Sequence, residues 1–175
     1  AGFGSKLAWL ADREQEVVFI GRDDEDGRRA GQLAVAVGIR KLGGYLHGGM
    51  TSWRQERREA QRVERLAVQD LAEMLRQRPE DMQVLDVRER SEWQAGHLPG
   101  SVFRAWHDID SIPEGLDPAA PIAVICGSGQ RAATAASLLQ RFGAEHAVHV
   151  VDGGVPALGR LGLELETGER EAATV

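Results

Sequence analysis

The sequence predicts an α/β protein organised around a parallel sheet, and three observations carry that prediction. Short apolar runs closed by turn residues alternate with stretches of helical spacing, an order that pairs strands in parallel across intervening helices. The chain matches itself at an offset of 105 positions. One apolar run, Ile122-Ala123-Val124-Ile125, passes straight into a Gly-rich turn and then a helical pattern, the local order of an anion-binding loop.

The self-match sets the organisation. Val17-Val18-Phe19-Ile20 falls on Ile122-Ala123-Val124-Ile125, Gly38 on Gly143, and His47-Gly48-Gly49-Met50 on Asp152-Gly153-Gly154-Val155, with no gap. A strand, a helix-ending glycine and a Gly-Gly turn in common register mark a repeated unit. Each unit reads strand, loop, helix, short strand, Gly-Gly turn, helix. Residues 1–53 are therefore read as the back half of one unit, and residues 66–163 as a complete second one. Position 1 falls on Trp106, so the part of the first unit that would match residues 66–105 is expected upstream in a longer polypeptide.

Between the units, residues 54–65 interleave arginine with glutamate and read as a solvated charged linker in preference to a nucleic-acid patch. Residues 68–77 follow as a helix, with Leu71, Met74 and Leu75 at helical spacing, and Pro79-Glu80-Asp81 breaks it. Val84-Leu85-Asp86-Val87-Arg88 is a strand that ends in charge, and Gly96-His97-Leu98-Pro99-Gly100 is a turn before Ser101-Val102-Phe103. Residues 130–142 form a helix with Ala132, Ala133, Ala136, Leu138 and Leu139 on its apolar side and Gly143 as its stop. His149-Val150-Val151, the Asp152-Gly153-Gly154 turn and a short helix from Pro156 complete the unit. Residues 164–175 read as a polar, acidic tail that frays.

The chemistry concentrates at Cys126, the only cysteine of the chain, in Cys126-Gly127-Ser128-Gly129-Gln130-Arg131. Backbone N–H groups in such a turn converge on one point, and the following helix adds its positive N-terminal end. A thiol held there loses its proton readily, and the thiolate is the nucleophile. The bland alternative is a small buried apolar residue at a strand end. Its neighbours argue for catalysis, because Gly127, Ser128, Gly129 and Gln130 are not core residues and Arg131 falls beside the sulfur.

Composition narrows the class. The chain has 175 residues, 42% hydrophobic and 27% charged, enough for one globular domain and part of another. The formal net charge of −6 argues against general nucleic-acid binding. No apolar run reaches the roughly 18 residues of a membrane span, and the first residues lack the pattern of a signal peptide. A single cysteine excludes an internal disulfide and fits a reducing, cytoplasmic setting. His47, His97, His107, His146 and His149 show no zinc-binding spacing, so neither a metal nor another cofactor is expected.

The second unit resembles the rhodanese family of sulfurtransferases over residues 66–163. The resemblance rests on Leu85-Asp86-Val87-Arg88-Glu89 with Glu92-Trp93, on Gly96-His97-Leu98-Pro99-Gly100-Ser101, on the cysteine loop, and on Val151-Asp152-Gly153-Gly154. It implies a central parallel sheet with helices on both faces. It implies that Cys126 takes a sulfane sulfur from thiosulfate or a low-molecular-weight persulfide and passes it to a thiophilic acceptor, a thiol or cyanide. Gly127, Ser128, Gly129 and Gln130 then hold the developing charge through backbone N–H groups. Arg131 steadies the loop or an anionic donor, and Asp86 and Arg88 brace the loop or line its mouth, unless they form an ordinary ion-pair network. Glu92 and His97 are expected to be structural anchors. With no resolving cysteine, release of the sulfur needs an outside acceptor.

The first unit resembles the back half of such a domain but has Gly21 at the position of Cys126 and Asp26 at that of Arg131. Its loop, Arg22-Asp23-Asp24-Glu25-Asp26, would repel an anionic donor, so it is expected to be catalytically silent. A silent and an active unit in tandem resemble the C-terminal region of proteins that fuse a metallo-β-lactamase-like persulfide dioxygenase to rhodanese domains. The upstream segment of the same polypeptide is then the expected partner, with no nucleic acid or membrane. Two alternatives stand beside this reading. One is a redox sensor or docking module that keeps the fold and uses Cys126 as a switch. The other is a cysteine phosphatase or arsenate reductase, although only Gly127 to Gln130 separate Cys126 from Arg131, a short loop for a tetrahedral phosphate.

Overall fold

The computed structural model describes residues 2–78, 80 and 82–168. The chain divides into two compact units, Ala1–Gln61 and Arg62–Val175. In the first, α1 (Phe3–Leu10), β1 (Val17–Phe19), α2 (Asp24–Ala36), β2 (Leu42–Tyr45) and α3 (Gly49–Gln55) follow in order, and β1 pairs in parallel with β2. Phe19, Ala34 and Ile39 form its small core, with Leu7, Val17 and Ala30 packed against them.

The second unit runs β3 (Glu64–Ala67), α4 (Val68–Gln77), β4 (Gln83–Asp86), α5 (Arg90–Ala95), β5 (Val102–Phe103), a 3-10 turn at Trp106–Asp108, β6 (Ile122–Ile125), α6 (Gln130–Arg141), β7 (Ala147–Val151) and α7 (Val155–Arg160). Its five strands lie in the order β3-β7-β6-β4-β5, with every pairing parallel. The central strand β6 is fully buried, and its period-2 alternation divides it between two cores. Ile122 and Val124 join Leu85, Val87 and the α6 residues Ala132, Ala135, Ala136 and Leu139 on one face. Ala123 and Ile125 join Val84, Val150 and residues of α4 (Val68, Leu71, Ala72) and α7 (Val155, Leu158) on the other. Helices thus cover both faces, as expected. Each fully buried Ile, Leu or Val contributes about 1.5–3 kcal/mol, so β6 with its helices carries much of the unit's stability.

The repeat is visible in the backbone. Val17 pairs with Leu42 and Ile122 with Ala147, 105 positions apart, but a bulge after Val17 then shifts the first unit by one residue, to Val18 with Gly44 and Phe19 with Tyr45. The N–H of Val155 donates to the carbonyl of Cys126 at 3.0 Å, and at the matching place the N–H of Met50 donates to the carbonyl of Gly21 at 3.2 Å. Gly154 and Gly49 sit against those same carbonyls, so closely that a Cβ at either position would overlap the oxygen. The Gly-Gly turn is therefore a contact requirement: it ties the end of the strand to the start of the last helix.

Three segments differ from the sequence reading. Glu64 and Arg65, at the end of the charged segment, begin β3, which pairs with β7 from Glu64↔Val148 to Ala67↔Val151. It is an edge strand with exposed or half-buried side chains, so backbone pairing holds it without an apolar alternation to read. Helix α5 has only six residues, too few for a periodicity; a capping box between Glu89 and Glu92 starts it. The start of the tail is docked: His97 and Glu166 exchange two backbone hydrogen bonds of 2.8 Å, and Gly168 N–H donates to Gln94 O. Pro79 and Asp81 of the helix break, and residues 169–175 of the tail, lie outside the described residues.

The contact at Gly154 yields a direct expectation. Gly154→Ala forces the Asp152-Gly153-Gly154 turn off the Cys126 carbonyl and lowers the unfolding free energy by about 2 kcal/mol or more. A denaturant midpoint within about 0.5 kcal/mol of wild type would show that the turn carries no such constraint.

Candidate active site

Cys126 follows the last residue of β6, at the carboxyl end of the central strand, where an open parallel sheet presents its crevice. The residue is fully buried. Gly129 caps α6 in the left-handed region (φ 89°), a backbone that L side chains rarely adopt, and this turns its N–H back onto the sulfur. Gly129 N–H donates to Cys126 Sγ at 3.1 Å. Gly127 is half-buried, and Ser128 and Gln130 are exposed on the outer side of the loop. Val155 N–H fixes the Cys126 carbonyl from below, and Gly154 leaves room for it.

Arg131, the second residue of α6, is clamped. Its Nη1 donates to Glu92 Oε2 at 2.5 Å and its Nη2 to Glu92 Oε1 at 2.9 Å, with Glu89 Oε1 3.7 Å away. A Cβ on Gly127 would lie 3.2 Å from Arg131 Nη2 and 3.6 Å from Glu92 Oε1, so the pair lies against the cysteine loop. The Arg131 hydrogen bonds hold the Glu92 carboxyl below its usual range, against the opposing effect of partial burial. The same bonds, with attraction to Glu92 and Cys126, raise Arg131 above its ordinary value. The clamp extends outward. His107 Nε2 lies 3.1 Å from Glu89 Oε2 and its Nδ1 2.9 Å from Asp108 Oδ1. Burial disfavours the His107 imidazolium, but the two carboxylates outweigh it and raise the imidazole above its usual value.

Asp86 and Arg88 bind each other. Arg88 Nε lies 2.9 Å from both Asp86 oxygens, and Nη2 lies 2.6 Å from Asp86 Oδ2 and 2.6 Å from the carbonyl of Gly96. Both are buried, so the pair is a desolvated bidentate bridge that ties the end of β4 to the turn after α5. Beside it His97 stacks on Trp93 with centroids 3.6 Å apart, and its Nδ1 meets the Trp93 carbonyl at 3.0 Å. The cradle therefore rests on β6, α6 and α7, while Asp86 and Arg88 shape the neighbouring wall.

In the first unit the corresponding loop is lined by carboxylates that bind its own backbone and neighbouring side chains. Asp23 caps α2 by accepting from Asp26 N–H, Asp26 takes Arg22 at 2.5 Å, and Asp24 accepts from Gly48 N–H at 2.7 Å and pairs with His47. Gly21 stands at the strand end where Cys126 stands in the other unit.

Two site residues carry roles the sequence did not assign. Glu92 is more than a turn anchor: it both closes the capping box and clamps Arg131. The Glu89-x-x-Glu92 spacing is a cap signal that the sequence reading passed over, while the clamp spans 39 positions and could be found only in space. His149, on β7, reaches the loop at Gly129 O. Among the described residues no group of three or more His, Cys, Asp and Glu side chains is arranged to hold a metal, and no helix is long and apolar enough to cross a membrane.

Comparison with known proteins places these features. The family model for the rhodanese-like domain matches residues 67–160, more than half of the chain. The chain is 32% identical over 74 residues to the putative sulfur carrier protein YrkF of Bacillus subtilis (strain 168), covering 42% of this chain and 40% of that protein. It is 35% identical over 78 residues to the thiosulfate sulfurtransferase GlpE of Pseudoalteromonas translucida (strain TAC 125), covering 45% of this chain and 73% of that protein. The chain thus spans about two fifths of the length of the first relative and about three quarters of the second. The rhodanese-like domain of the Alr3790 protein from Anabaena sp., solved in solution, superposes with a TM-score of 0.54 at 24% identity over 65% of this chain and 88% of that one, which shows a common fold.

The clamp predicts a pH signature. Glu92 titrates lower in the folded state than in the unfolded one, so its contribution is present above the ordinary glutamate pKa and is lost as pH falls through the folded value. The stability difference between wild type and Glu92→Gln is therefore largest near neutral pH and shrinks below about pH 4.5. Denaturant unfolding of both proteins between neutral and acid pH checks it, and a pH-independent difference would sink the assignment.

Proposed function

The chain belongs to the rhodanese-like domain family, and from that premise we propose that it is a sulfurtransferase working through a persulfide on Cys126. The observation that carries the proposal is the N–H of Gly129 on Sγ at 3.1 Å, at the mouth of a glycine loop and the N-terminus of α6. An N–H aimed at sulfur is placed to hold negative charge there, on the attacking sulfur and then on the terminal sulfur of the persulfide.

The Cys126 thiolate attacks the outer sulfur of the donor, thiosulfate or a low-molecular-weight persulfide. A sulfur–sulfur bond forms at Sγ, the donor's own bond to that sulfur breaks, and its electron pair leaves with sulfite or a thiolate. A thiol or cyanide then takes the terminal sulfur, and the bonding pair returns to Sγ. Because Cys126 is fully buried, the donor enters by displacing the loop at Gly127 and Ser128, where small side chains offer little resistance. Arg131, held by Glu92, keeps the loop closed behind the donor and adds positive potential to the sulfur. No cofactor enters this cycle, and a free thiol nucleophile suits the cytoplasm.

Residues 1–53 we assign to the back half of a second, silent unit, in the tandem arrangement of metallo-β-lactamase-like persulfide dioxygenase fusions, completed by an upstream segment of the same polypeptide. Two features support this. The loop that would hold a nucleophile has Gly21 and carboxylates that bind its own backbone N–H groups. Val18 and Ile20 are 56% and 52% exposed, whereas their counterparts Ala123 and Ile125 are fully buried under α4 and α7. The gene sequence upstream of Ala1 tests the arrangement: it should encode a strand and helix like residues 66–105.

Intact mass after incubation with thiosulfate, and separately with glutathione persulfide, tests the chemistry. Wild type should gain one sulfur, lose it on addition of cyanide, and Cys126→Ser should gain none. No gain from either donor overturns the assignment and favours a module that uses Cys126 as a redox switch.

A further inference from the structure

His149 stands out in its strand. β7 reads Ala147-Val148-His149-Val150-Val151, and Ala147, Val148 and Val150 are buried apolar residues. The imidazole is half-buried and its Nε2 lies 2.7 Å from the carbonyl of Gly129. A carbonyl oxygen only accepts, so Nε2 carries the proton and donates. That carbonyl also takes the N–H of Ala133 at 3.1 Å, the first turn of α6. Gly129 is thus held on both sides of its Cα. Its N–H is the donor to Cys126 Sγ, and its carbonyl is fixed by a side chain from the neighbouring strand. The backbone of β7 closes the remaining side: a Cβ on Gly129 would meet Val150 O at 3.2 Å and His149 Nε2 at 3.5 Å.

The repeat supplies an internal control. At the offset of 105, Cys126 becomes Gly21, Gly129 becomes Asp24 and His149 becomes Gly44. The unit with Gly21 keeps the strands, the helix and the carbonyl contact of its Gly-Gly turn, and a bulge there pairs Phe19 with Tyr45, so a tyrosine stands where Val124 faces His149 in the other unit. The strand pairing thus forms without a histidine in the unit that has no cysteine.

We propose that His149 is a positioning residue for sulfur transfer: by donating to Gly129 O it holds Gly129 in its left-handed conformation and keeps the Gly129 N–H aimed at Cys126 Sγ. The proposal rests on the sulfurtransferase reading of this site. Without the histidine the Gly129 carbonyl keeps only the Ala133 N–H, and the peptide that aims the donor at the sulfur is held less firmly. A thiolate with a misaligned donor is less favoured and a persulfide charge less well held.

The test compares wild type, His149→Leu and His149→Gln. Glutamine places an amide N–H at about the reach of Nε2, whereas leucine fills the space without a donor. Because Cys126 is the only cysteine, its ultraviolet thiolate absorbance from about pH 5 to 10 reports one site. In H149L the thiolate should form at higher pH than in wild type, and sulfur loading from glutathione persulfide should slow roughly tenfold. H149Q should restore both to within about threefold, a rescue that a merely packing role would not give. Unchanged titration and loading in H149L, or failure of H149Q to differ from it, overturns the proposal. If H149L does not fold, His149→Asn replaces it, since its amide falls short of Gly129 O and should behave as leucine would. Absence of sulfur uptake by wild type would overturn the sulfurtransferase reading alone, since the thiolate titration still decides the role of His149.

Discussion

A carbonyl oxygen at the end of the central strand governs the architecture of both units. In the second unit it belongs to Cys126 and accepts the N–H of Val155; in the first it belongs to Gly21 and accepts the N–H of Met50. A strand's last carbonyl, pointing beyond the sheet, would otherwise be a buried acceptor without a partner, which is costly. Satisfying it with the first N–H of the last helix draws the Gly-Gly turn to van der Waals distance, and that approach excludes any side chain at Gly154 or Gly49. The turn then sets where α7 begins, and α7 closes one of the two cores through Val155 and Leu158. The contact fixes the backbone of Cys126 while leaving its N-terminal neighbours in the sheet, so the sulfur is presented from a rigid base.

Charge is distributed around the sulfur by pairing. Arg88 is consumed by Asp86 inside the protein, and Arg131 is engaged by Glu92 at the edge of the loop. The buried pair is structural: breaking it would strand one charge in a desolvated place, a loss of about 3–5 kcal/mol, while its intact net contribution is small. The half-exposed pair is weaker, about 1 kcal/mol, and solvent screens it. Its value lies in geometry. A bidentate guanidinium fixes both partners at once, and here the partners belong to the helix after the cysteine loop and to the short helix after β4. The positive end of α6 and the Arg131 cation both act on the sulfur, and neither has to move to do so.

The sequence made the strand and helix alternation, the repeat, and the cysteine loop legible, because each has a local signature: period-2 apolar runs, glycines at turns, a helix with an alanine-rich face. The first pair of each unit, Val17 with Leu42 and Ile122 with Ala147, follows the sequence offset, but the bulge that shifts Phe19 onto Tyr45 has no sequence signal. What escaped reading has no local signature. The strand β3 carries Glu64 and Arg65 at a sheet edge and is held by backbone bonds alone. The docking of Glu166 on His97 depends on two segments far apart in sequence. The Glu92–Arg131 clamp and the contact of His149 with Gly129 join residues on different elements, so spacing along the chain could not show them. Asp86 and Arg88 illustrate the converse. Their placement at the end of a strand left open a role bracing the loop or lining its mouth and an ordinary ion pair, and the fully desolvated charges form the pair.

The two units separate what the fold needs from what the chemistry needs. Both keep the parallel pairing, the left-handed glycines at Gly38 and Gly143 and the carbonyl contact of the Gly-Gly turn. These are requirements of packing and backbone geometry, and they persist where no nucleophile exists. The loop itself diverges. In one unit Asp23 and Asp24 fill it, capping the helix and binding the turn with their own oxygens. In the other, glycines leave the N–H of Gly129 to a sulfur, and the stabilisation that aspartate would have given the loop comes from outside it, through Glu92 on α5 and His149 on β7. A loop that satisfies itself needs no such support and offers nothing to a ligand. A loop that turns a donor toward sulfur must be held in place by its neighbours, so the residues that shape the surroundings of Cys126 extend beyond the loop that carries it.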